Sequence, residues 1–139
     1  MHKILFRGKP KNELIDWVYG YYFYSELTCK HCIMGESKDY GYTCIEVIPE
    51  TVGQYTELND KNGTKIFEGD IVQTNKFFLS VGLNAKYVIE YDVKIACFIG
   101  TMQKGCIKHF TTFQNDSDQF EVIGNIHDNP ELLNGEGVR

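Results

Sequence analysis

The feature that most constrains this chain is its division into short apolar segments separated by turn-forming residues. The clearest case is "VGQYTELNDKNGTKIFEGDIV", Val52 to Val72, which contains three glycines. Asn62-Gly63 lies between "YTEL" and "KIF", and both residues tolerate the positive φ that tight hairpin turns need. A phosphate-binding loop would instead need a glycine-rich run that opens a helix. The stretch therefore predicts hairpin structure and no ligand site.

The rest of the chain repeats this pattern of short strands and turns. Pro49 predicts a helical turn that Gly53 ends in a left-handed conformation. Asp128 or Asn129 is predicted to cap a second short helix that starts at Pro130. Many short strands with frequent turns predict an all-β barrel or sandwich. The strand candidates are residues 3–7, 16–24, 31–36, 43–48, 55–58, 65–67, 71–74, 86–92, 94–100 and 119–126.

The segment "DWVYGYYFY", Asp16 to Tyr24, is the strongest strand candidate. Both faces of an extended strand here would be apolar, so we expect the strand to be largely buried or to offer an aromatic surface. Gly20 inside it indicates a bulge or a close approach of two backbones. The side chains divide into Trp17, Tyr19, Tyr21 and Phe23 on one face and Val18, Tyr22 and Tyr24 on the other.

Composition and charge limit the classes of partner. Hydrophobic residues make up 42% of the 139 residues, which is typical of one folded domain. The net charge of −5 argues against non-specific binding to nucleic acid or anionic lipid. The first eleven residues carry four cations and no acid, whereas residues 116–136 carry six acids and no Lys or Arg. We expect these two segments to attract each other or to face water; the alternative is a basic patch that binds an acidic partner.

The cysteines and the apolar segments indicate the cellular compartment in which the protein works. Five cysteines are an odd number. The apolar stretch near the N-terminus is too short for a signal peptide, and no apolar run approaches the 18 residues of a membrane span. We therefore expect free thiols in a reducing cytoplasm and no contact with a membrane.

A C-x-x-C motif at Cys29 and Cys32, with His31 inside it and Cys44 downstream, is the main candidate for metal or redox chemistry. A structural zinc ion needs four converging ligands, which usually come from two such pairs. A redox C-x-x-C usually opens a helix, and no helix is predicted here. We predict no metal site and no cofactor, since the remaining candidates are poorly spaced: Cys97, Cys106 and His109.

Two pairs of ionisable residues are candidates for catalysis. His127 and Asp128 could form a base with its orienting carboxylate, but a nucleophile must also converge on them, and Asp128 is better interpreted as a helix cap. Glu68 and Asp70 flank Gly69 and could act as paired acids, although the favoured interpretation is a turn in water. We predict no catalytic residue and no enzymatic activity. No serine lies in a nucleophile-elbow context: Ser25, Ser37, Ser80 and Ser117.

Six segments in order give the chain a resemblance to a known family: "ILFRGK", "WVYGYY", "PETVGQYT", "DKNGTKIFEGDIV", "VIEYD" and "EVIGNIHDNPELL". The chain resembles the YopX family of small bacteriophage and prophage proteins over nearly its whole length. The resemblance implies a single YopX-like domain over residues 1–139, all-β and in part an SH3-like barrel. Residues 25–42 and 76–84 are the least similar parts and are expected to be variable inserts or loops. The resemblance carries over no cofactor and no catalytic residue.

These observations favour a phage-encoded accessory protein in the bacterial cytoplasm that acts by protein binding or self-association. An incomplete barrel leaves strand edges, and such edges can pair with another chain. The alternative is a module that binds single-stranded nucleic acid. It would stack bases on the aromatic strand, residues 17–24, and contact phosphates through the basic N-terminus.

Overall fold

The computed structural model describes residue 1 and residues 3–38, 40–74, 85–104, 107–112 and 119–134. The chain forms two compact units, Met1–Tyr55 and Thr56–Arg139. The structure confirms the predicted all-β class, since within the described ranges every regular element except two short helical segments is a strand. The predictions of a single domain and of an SH3-like barrel stay predictions.

The first unit is an antiparallel sheet in the order β4-β3-β2-β1-β5. The predicted helical turn at Pro49 is confirmed, but the prediction for Gly53 is wrong. Gly53 is the first residue of β5 and lacks a positive φ, because Val52 already returns the chain to an extended conformation. The elements are β1 Phe6–Gly8, β2 Val18–Ser25, β3 Lys30–Ser37, β4 Gly41–Glu46, a 3₁₀ turn Pro49–Thr51, and the start of β5 Gly53–Asn59.

Backbone contacts also join the two ends of the β1–β4 meander. Pro10 forms an antiparallel bridge with Val47. The amide of Lys11 donates to the carbonyl of Glu46 at 3.1 Å, and that of Ile48 donates to Lys9 at 2.9 Å. The segment after β1 therefore pairs with the segment after β4, so backbone hydrogen bonds join the first and the last of these four strands.

The core of this unit lies on one face of the strands. Its buried members are Val18, Ile33, Ile45 and Val47. Gly20 and Gly35 are directly opposite each other on β2 and β3. A Cβ atom on either glycine would overlap the backbone of the other strand, so the close approach predicted at Gly20 is confirmed. The range 25–42, expected to be an insert or loop, contains all of β3.

The second unit contains the end of β5, β6 beside it, and an antiparallel sheet in the order β10-β9-β8-β7-β11. Its core includes Ile66, Val72, Tyr87, Ile89 and Phe120. Residues 76–84 lie outside the described part. The elements are β6 Lys65–Phe67, β7 Asp70–Thr74, β8 Lys86–Asp92, β9 Cys97–Lys104, β10 Ile107–Thr112, β11 Phe120–Asn125 and the helix α1 Glu131–Asn134.

The hairpin turns follow the predicted positions with one difference in conformation. Gly63 has a φ of 81°, as a tight turn requires, and its amide donates to the carbonyl of Asp60 at 3.0 Å. Asn62 lacks a positive φ, so of the two residues that tolerate one only Gly63 adopts it. The β8–β9 turn contains Lys94, whose amide donates to Asp92 Oδ1 at 2.8 Å. No helix among the described residues has the length and apolar character that a membrane crossing needs.

Candidate functional site: the outer face of strands β2 to β4

The side of the first unit's sheet that points away from its core carries large apolar side chains. Alternation along β2 sends Val18 into the core and its neighbour Tyr19 to the opposite side. The strand register then extends this outer side across β3 and β4. Tyr21 lies opposite Met34, which lies opposite Cys44 on the next strand. We call the following five residues the aromatic face: Tyr19, Tyr21, Phe23, Met34 and Tyr42.

All five side chains of the aromatic face are exposed. Tyr21 and Tyr42 keep 65% and 69% of their surface accessible, and the lowest value, that of Phe23, is 37%. A single exposed apolar residue is ordinary, but a contiguous group of them marks an interaction surface. Of the two expectations for the segment from Asp16 to Tyr24, the exposed aromatic surface is therefore the correct one for this side of β2.

Charged residues lie at both ends of the aromatic face, and the two ends differ in sign. At one end the Nζ atoms of Lys11 and Lys30 lie 3.0 and 3.3 Å from the two carboxylate oxygens of Glu46, so two cations surround one carboxylate. Glu26 is exposed in the turn before Lys30. The hydrogen bond from Lys11, and then that from Lys30, holds the pKa of Glu46 below its ordinary value.

At the other end Glu36 is exposed, and nearby Asp16 and Lys38 form an ion pair at 3.8 Å that is neutral as a whole. Among the described residues, Glu36 therefore supplies the negative charge at this end of the face. The row of Tyr21, Met34 and Cys44 in the middle contains no Lys, Arg, Asp or Glu, and Glu46 ends the neighbouring row of Phe23 and Cys32.

The basic N-terminal segment lies beside the aromatic strand, but its cations have partners within the fold. Arg7 is opposite Tyr19 in the β1–β2 register, and its guanidinium lies 4.8 Å from the centre of the Trp17 ring. Arg7 is 7% exposed, so the stacked cation contributes to packing within the unit. Lys11 is bound to Glu46.

The C-x-x-C motif is divided between a turn and a strand. Cys29 is exposed in the β2–β3 turn with a φ of 54°, whereas Cys32 is buried in β3. Cys44 is exposed, and all described cysteines are free thiols. Burial, followed by a hydrogen bond with Cys44, raises the pKa of the Cys32 thiol. His31 points to the opposite side of the strand, with its Nδ1 2.7 Å from the hydroxyl of Tyr22.

The described ranges contain no group of three or more His, Cys, Asp or Glu side chains placed to hold a metal ion. Cys97 is half-buried at the start of β9. Cys106 and the side chain of His109 lie outside the described part. The absence of a metal site and of a cofactor stays a prediction.

The corner at Gly69 differs from its sequence interpretation. Asp70 was expected beside a turn in water, which is wrong, because it is only 1% exposed. Its Oδ2 accepts a hydrogen bond of 2.7 Å from the amide of Phe67, three residues earlier. The amide of Gly69 donates to the carbonyl of Ile89 at 2.8 Å, so a backbone hydrogen bond joins this corner to β8. The Asp70 carboxylate closes this turn, and Glu68 is half-buried beside it.

The segment with His127 and Asp128 is organised by Asn125. The amides of both residues donate to Asn125 Oδ1, at 3.0 and 2.9 Å, and the carboxylate of Asp128 accepts from Asn125 Nδ2 at 3.2 Å. Asn129 closes the start of α1 through its carbonyl, which accepts from Leu132 at 3.1 Å. These contacts fit a turn better than a catalytic pair, and the capping role of Asp128 stays a prediction.

The serines do not converge on these residues in the described part. Ser25 Oγ accepts a weak hydrogen bond of 3.4 Å from the amide of Thr28 in the β2–β3 turn. The side chain of Ser37, and Ser80 and Ser117 altogether, lie outside the described residues.

Asp60 is a residue whose role sequence reasoning missed. It is 6% exposed, and its Oδ1 accepts from the amides of Asn62 and Thr64, both at 2.9 Å. Its Oδ2 accepts from the amide of Val122 in β11, also at 2.9 Å. An aspartate that precedes a turn often binds the amide two residues on, and this pattern was the available signal. The contact with β11 had no local signal.

Comparisons with known proteins agree with this fold. The sequence profile described as "YopX protein" matches residues 5–134. The crystal structure of protein EF1440 from Enterococcus faecalis superposes with a TM-score of 0.61 at 24% identity, and the match covers 96% of this chain and 99% of that chain. At that identity the likeness shows the fold alone. A comparison with curated proteins gave no match. Because the profile covers most of its length, the chain belongs to the YopX family.

Proposed function

We propose that this protein is a phage- or prophage-encoded accessory protein that works in the bacterial cytoplasm by binding another protein chain. The observation that carries the proposal is the exposure of five large apolar side chains on one side of the first unit. Tyrosine, phenylalanine and methionine are enriched in the centres of protein interfaces, where a few aromatic anchors supply most of the binding free energy. The aromatic face is the binding surface in this proposal.

A binding role without catalysis is supported by the contacts of the former catalytic candidates. The carboxylate of Asp70 binds a backbone amide within its own turn, and that of Asp128 binds the side chain of Asn125. A general acid or base must instead reach a reacting group of the substrate. The described contacts of both carboxylates therefore have structural explanations.

The proposal is tested by capture of partners, after chemical crosslinking, from a host lysate that also contains an untagged copy of this protein. The variant Tyr21→Lys places a charge at the centre of the aromatic face, where Tyr21 is 65% exposed and fills no core. Tyr91→Lys is the matched control, because Tyr91 is 44% exposed in the second unit. We expect the wild type and Tyr91→Lys to retain the same protein and Tyr21→Lys to lose it. Equal retention by all three proteins would refute the role of the aromatic face.

The second candidate is a module that binds single-stranded nucleic acid, and the spacing of the aromatic residues favours it. Tyr19, Tyr21 and Phe23 are exposed at alternate positions, as a stacking surface for successive bases requires. The charges count against it, since Lys11 and Lys30 share the carboxylate of Glu46 and the exposed Glu36 lies on the same face, so the face offers no row of cations for successive phosphates. A gel shift with single-stranded DNA at rising salt separates the candidates. Phosphate binding must weaken as salt rises, and Tyr21→Ala would reduce stacking.

A further inference from the structure

We propose that the chain bound by the aromatic face is a second copy of this protein, stacked face to face with its strands antiparallel. This inference rests on the proposed function and names the partner. It follows from the opposite charges at the two ends of the aromatic face and from the apolar middle between them.

The outer residues of β3 show the arrangement most simply. Lys30 and Glu36 lie at opposite ends of the strand, with Cys32 and Met34 between them on the same side. A two-fold axis in the plane of the contact and perpendicular to β3 reverses the strand of the second copy. That operation places Lys30 of one copy over Glu36 of the other, and it does so twice because a two-fold interface is self-complementary.

The neighbouring strands agree with this choice of axis. At the Lys30 end Lys11 and Lys30 surround the one carboxylate of Glu46, whereas at the Glu36 end the described charges are Glu36 and the neutral Asp16–Lys38 pair. A two-fold axis parallel to β3 would instead bring like charges together at each end, which opposes association. The charges therefore favour the antiparallel arrangement over the parallel one.

The same operation exchanges two rows of side chains in the middle of the contact. Tyr21 and Met34 form one row, and Phe23 and Cys32 form the next. Tyr21 of one copy would then lie over Phe23 of the other, and Met34 over Cys32 with Phe23 beside it, which allows a favourable contact between the methionine sulfur and the aromatic ring. The accessible part of the aromatic face is on the order of 500 Å². This is less than the ~800 Å² per partner of a standard interface, so we expect a dissociation constant in the micromolar range.

Charge reversal tests the antiparallel dimer directly by sedimentation velocity across a concentration series. We expect Lys30→Glu and Glu36→Lys each to raise the dissociation constant about tenfold or more, since each variant faces its own copy with two like-charge contacts. A mixture of the two variants should form a heterodimer, and the double variant K30E/E36K should dimerise as the wild type does. Lys94→Glu, in an exposed turn of the second unit, is the control with the same change of charge. Circular dichroism establishes that each variant is folded.

Three results would overturn the inference. They are a wild type that stays monomeric throughout the series, single variants that dimerise like the wild type, and a mixture that fails to associate. The wild type could instead be monomeric and capture a host protein that Tyr21→Lys fails to capture. That result would overturn the proposed homodimer and leave the proposed function standing. A monomer that captures no protein, or that captures it equally well in Tyr21→Lys, would overturn both.

Discussion

Replacement of Asp60 by alanine should destabilise the protein far more than loss of an ordinary turn aspartate. The Asp60 carboxylate accepts three backbone hydrogen bonds of 2.9 Å, two from the turn at Asn62 and Thr64 and one from Val122 in β11. It is 6% exposed, so little water is available to replace it. Asp60→Ala removes all three acceptor contacts at once.

The expected loss follows from the surroundings of the three amides. Asn62 and Thr64 are exposed, so their amides regain water and each bond contributes about 0.5–1 kcal/mol. The amide of Val122 lies in a strand and is half-buried, so its loss costs about 1–3 kcal/mol. We expect Asp60→Ala to lower the free energy of unfolding by about 3 kcal/mol. The free energy of unfolding of Asp60→Asn should lie between those of Asp60→Ala and the wild type, because a side-chain amide accepts hydrogen bonds through its oxygen only.

Urea denaturation followed by circular dichroism measures this loss. Asp92→Ala is the matched control, since Asp92 Oδ1 accepts one amide bond of 2.8 Å, from Lys94 in an exposed turn. We expect the control to lose about 1 kcal/mol or less. If the free energy of unfolding falls equally in Asp60→Ala and Asp92→Ala, the contact between Asp60 and β11 does not have the role assigned to it.

Three further predictions concern the first unit. Gly20→Ala should lower the free energy of unfolding by about 2–3 kcal/mol in a urea titration, because its methyl group would overlap the Met34 carbonyl. Burial raises the pKa of Cys32 above its ordinary value of 9.0. The neutral thiol therefore contributes its full stability to the fold below pH 9.0, and this contribution is lost as pH rises through the pKa of the folded state. Urea titrations at about pH 8 and about pH 10 should show this loss in the wild type and a smaller one in Cys32→Ala. The hydrogen bond from Lys11 lowers the pKa of Glu46, so this contact stabilises the fold above the ordinary value of 4.5, and the stabilisation is lost as pH falls through the pKa of the folded state. In Lys11→Met, NMR titration should find the pKa of Glu46 raised relative to the wild type.

Each of these predictions has a result that contradicts it. Wild-type stability in Gly20→Ala would mean that β2 and β3 are farther apart than the structure shows. The same pH dependence in Cys32→Ala and the wild type would assign the alkaline loss to other groups. An unchanged pKa of Glu46 in Lys11→Met would show that the ion pair does not persist in solution.

Local sequence patterns were sufficient to predict the all-β fold class and most of the strands and turns. Asn62-Gly63, Pro49 and the alternating segment of β8 each give the correct element at nearly the correct place, since turn chemistry and two-residue periodicity act over a few residues. The strand β10, Ile107–Thr112, was not predicted. Its sequence, IKHFTT, follows a Gly-Cys pair and lacks the apolar alternation that marks β8.

Features that depend on distant residues could not be predicted. The bridge between Pro10 and Val47 joins segments far apart in sequence. Asp70 follows a glycine and resembles a surface turn residue, and only the fold around it shows that it is buried. For the candidate site, both faces of β2 are apolar, so periodicity alone does not tell which face is outside. The register with β3 and β4 decides it, and that register is a tertiary property.

The most direct test of the central claim is site-specific photo-crosslinking in the bacterial host. A photoreactive phenylalanine analogue replaces Tyr21 in one protein and Tyr91 in another, both of which are exposed aromatic positions. We expect a discrete crosslinked protein product from position 21 and none from position 91. Equal crosslinking at the two positions, or none at position 21, would contradict the assignment of the aromatic face as the binding surface.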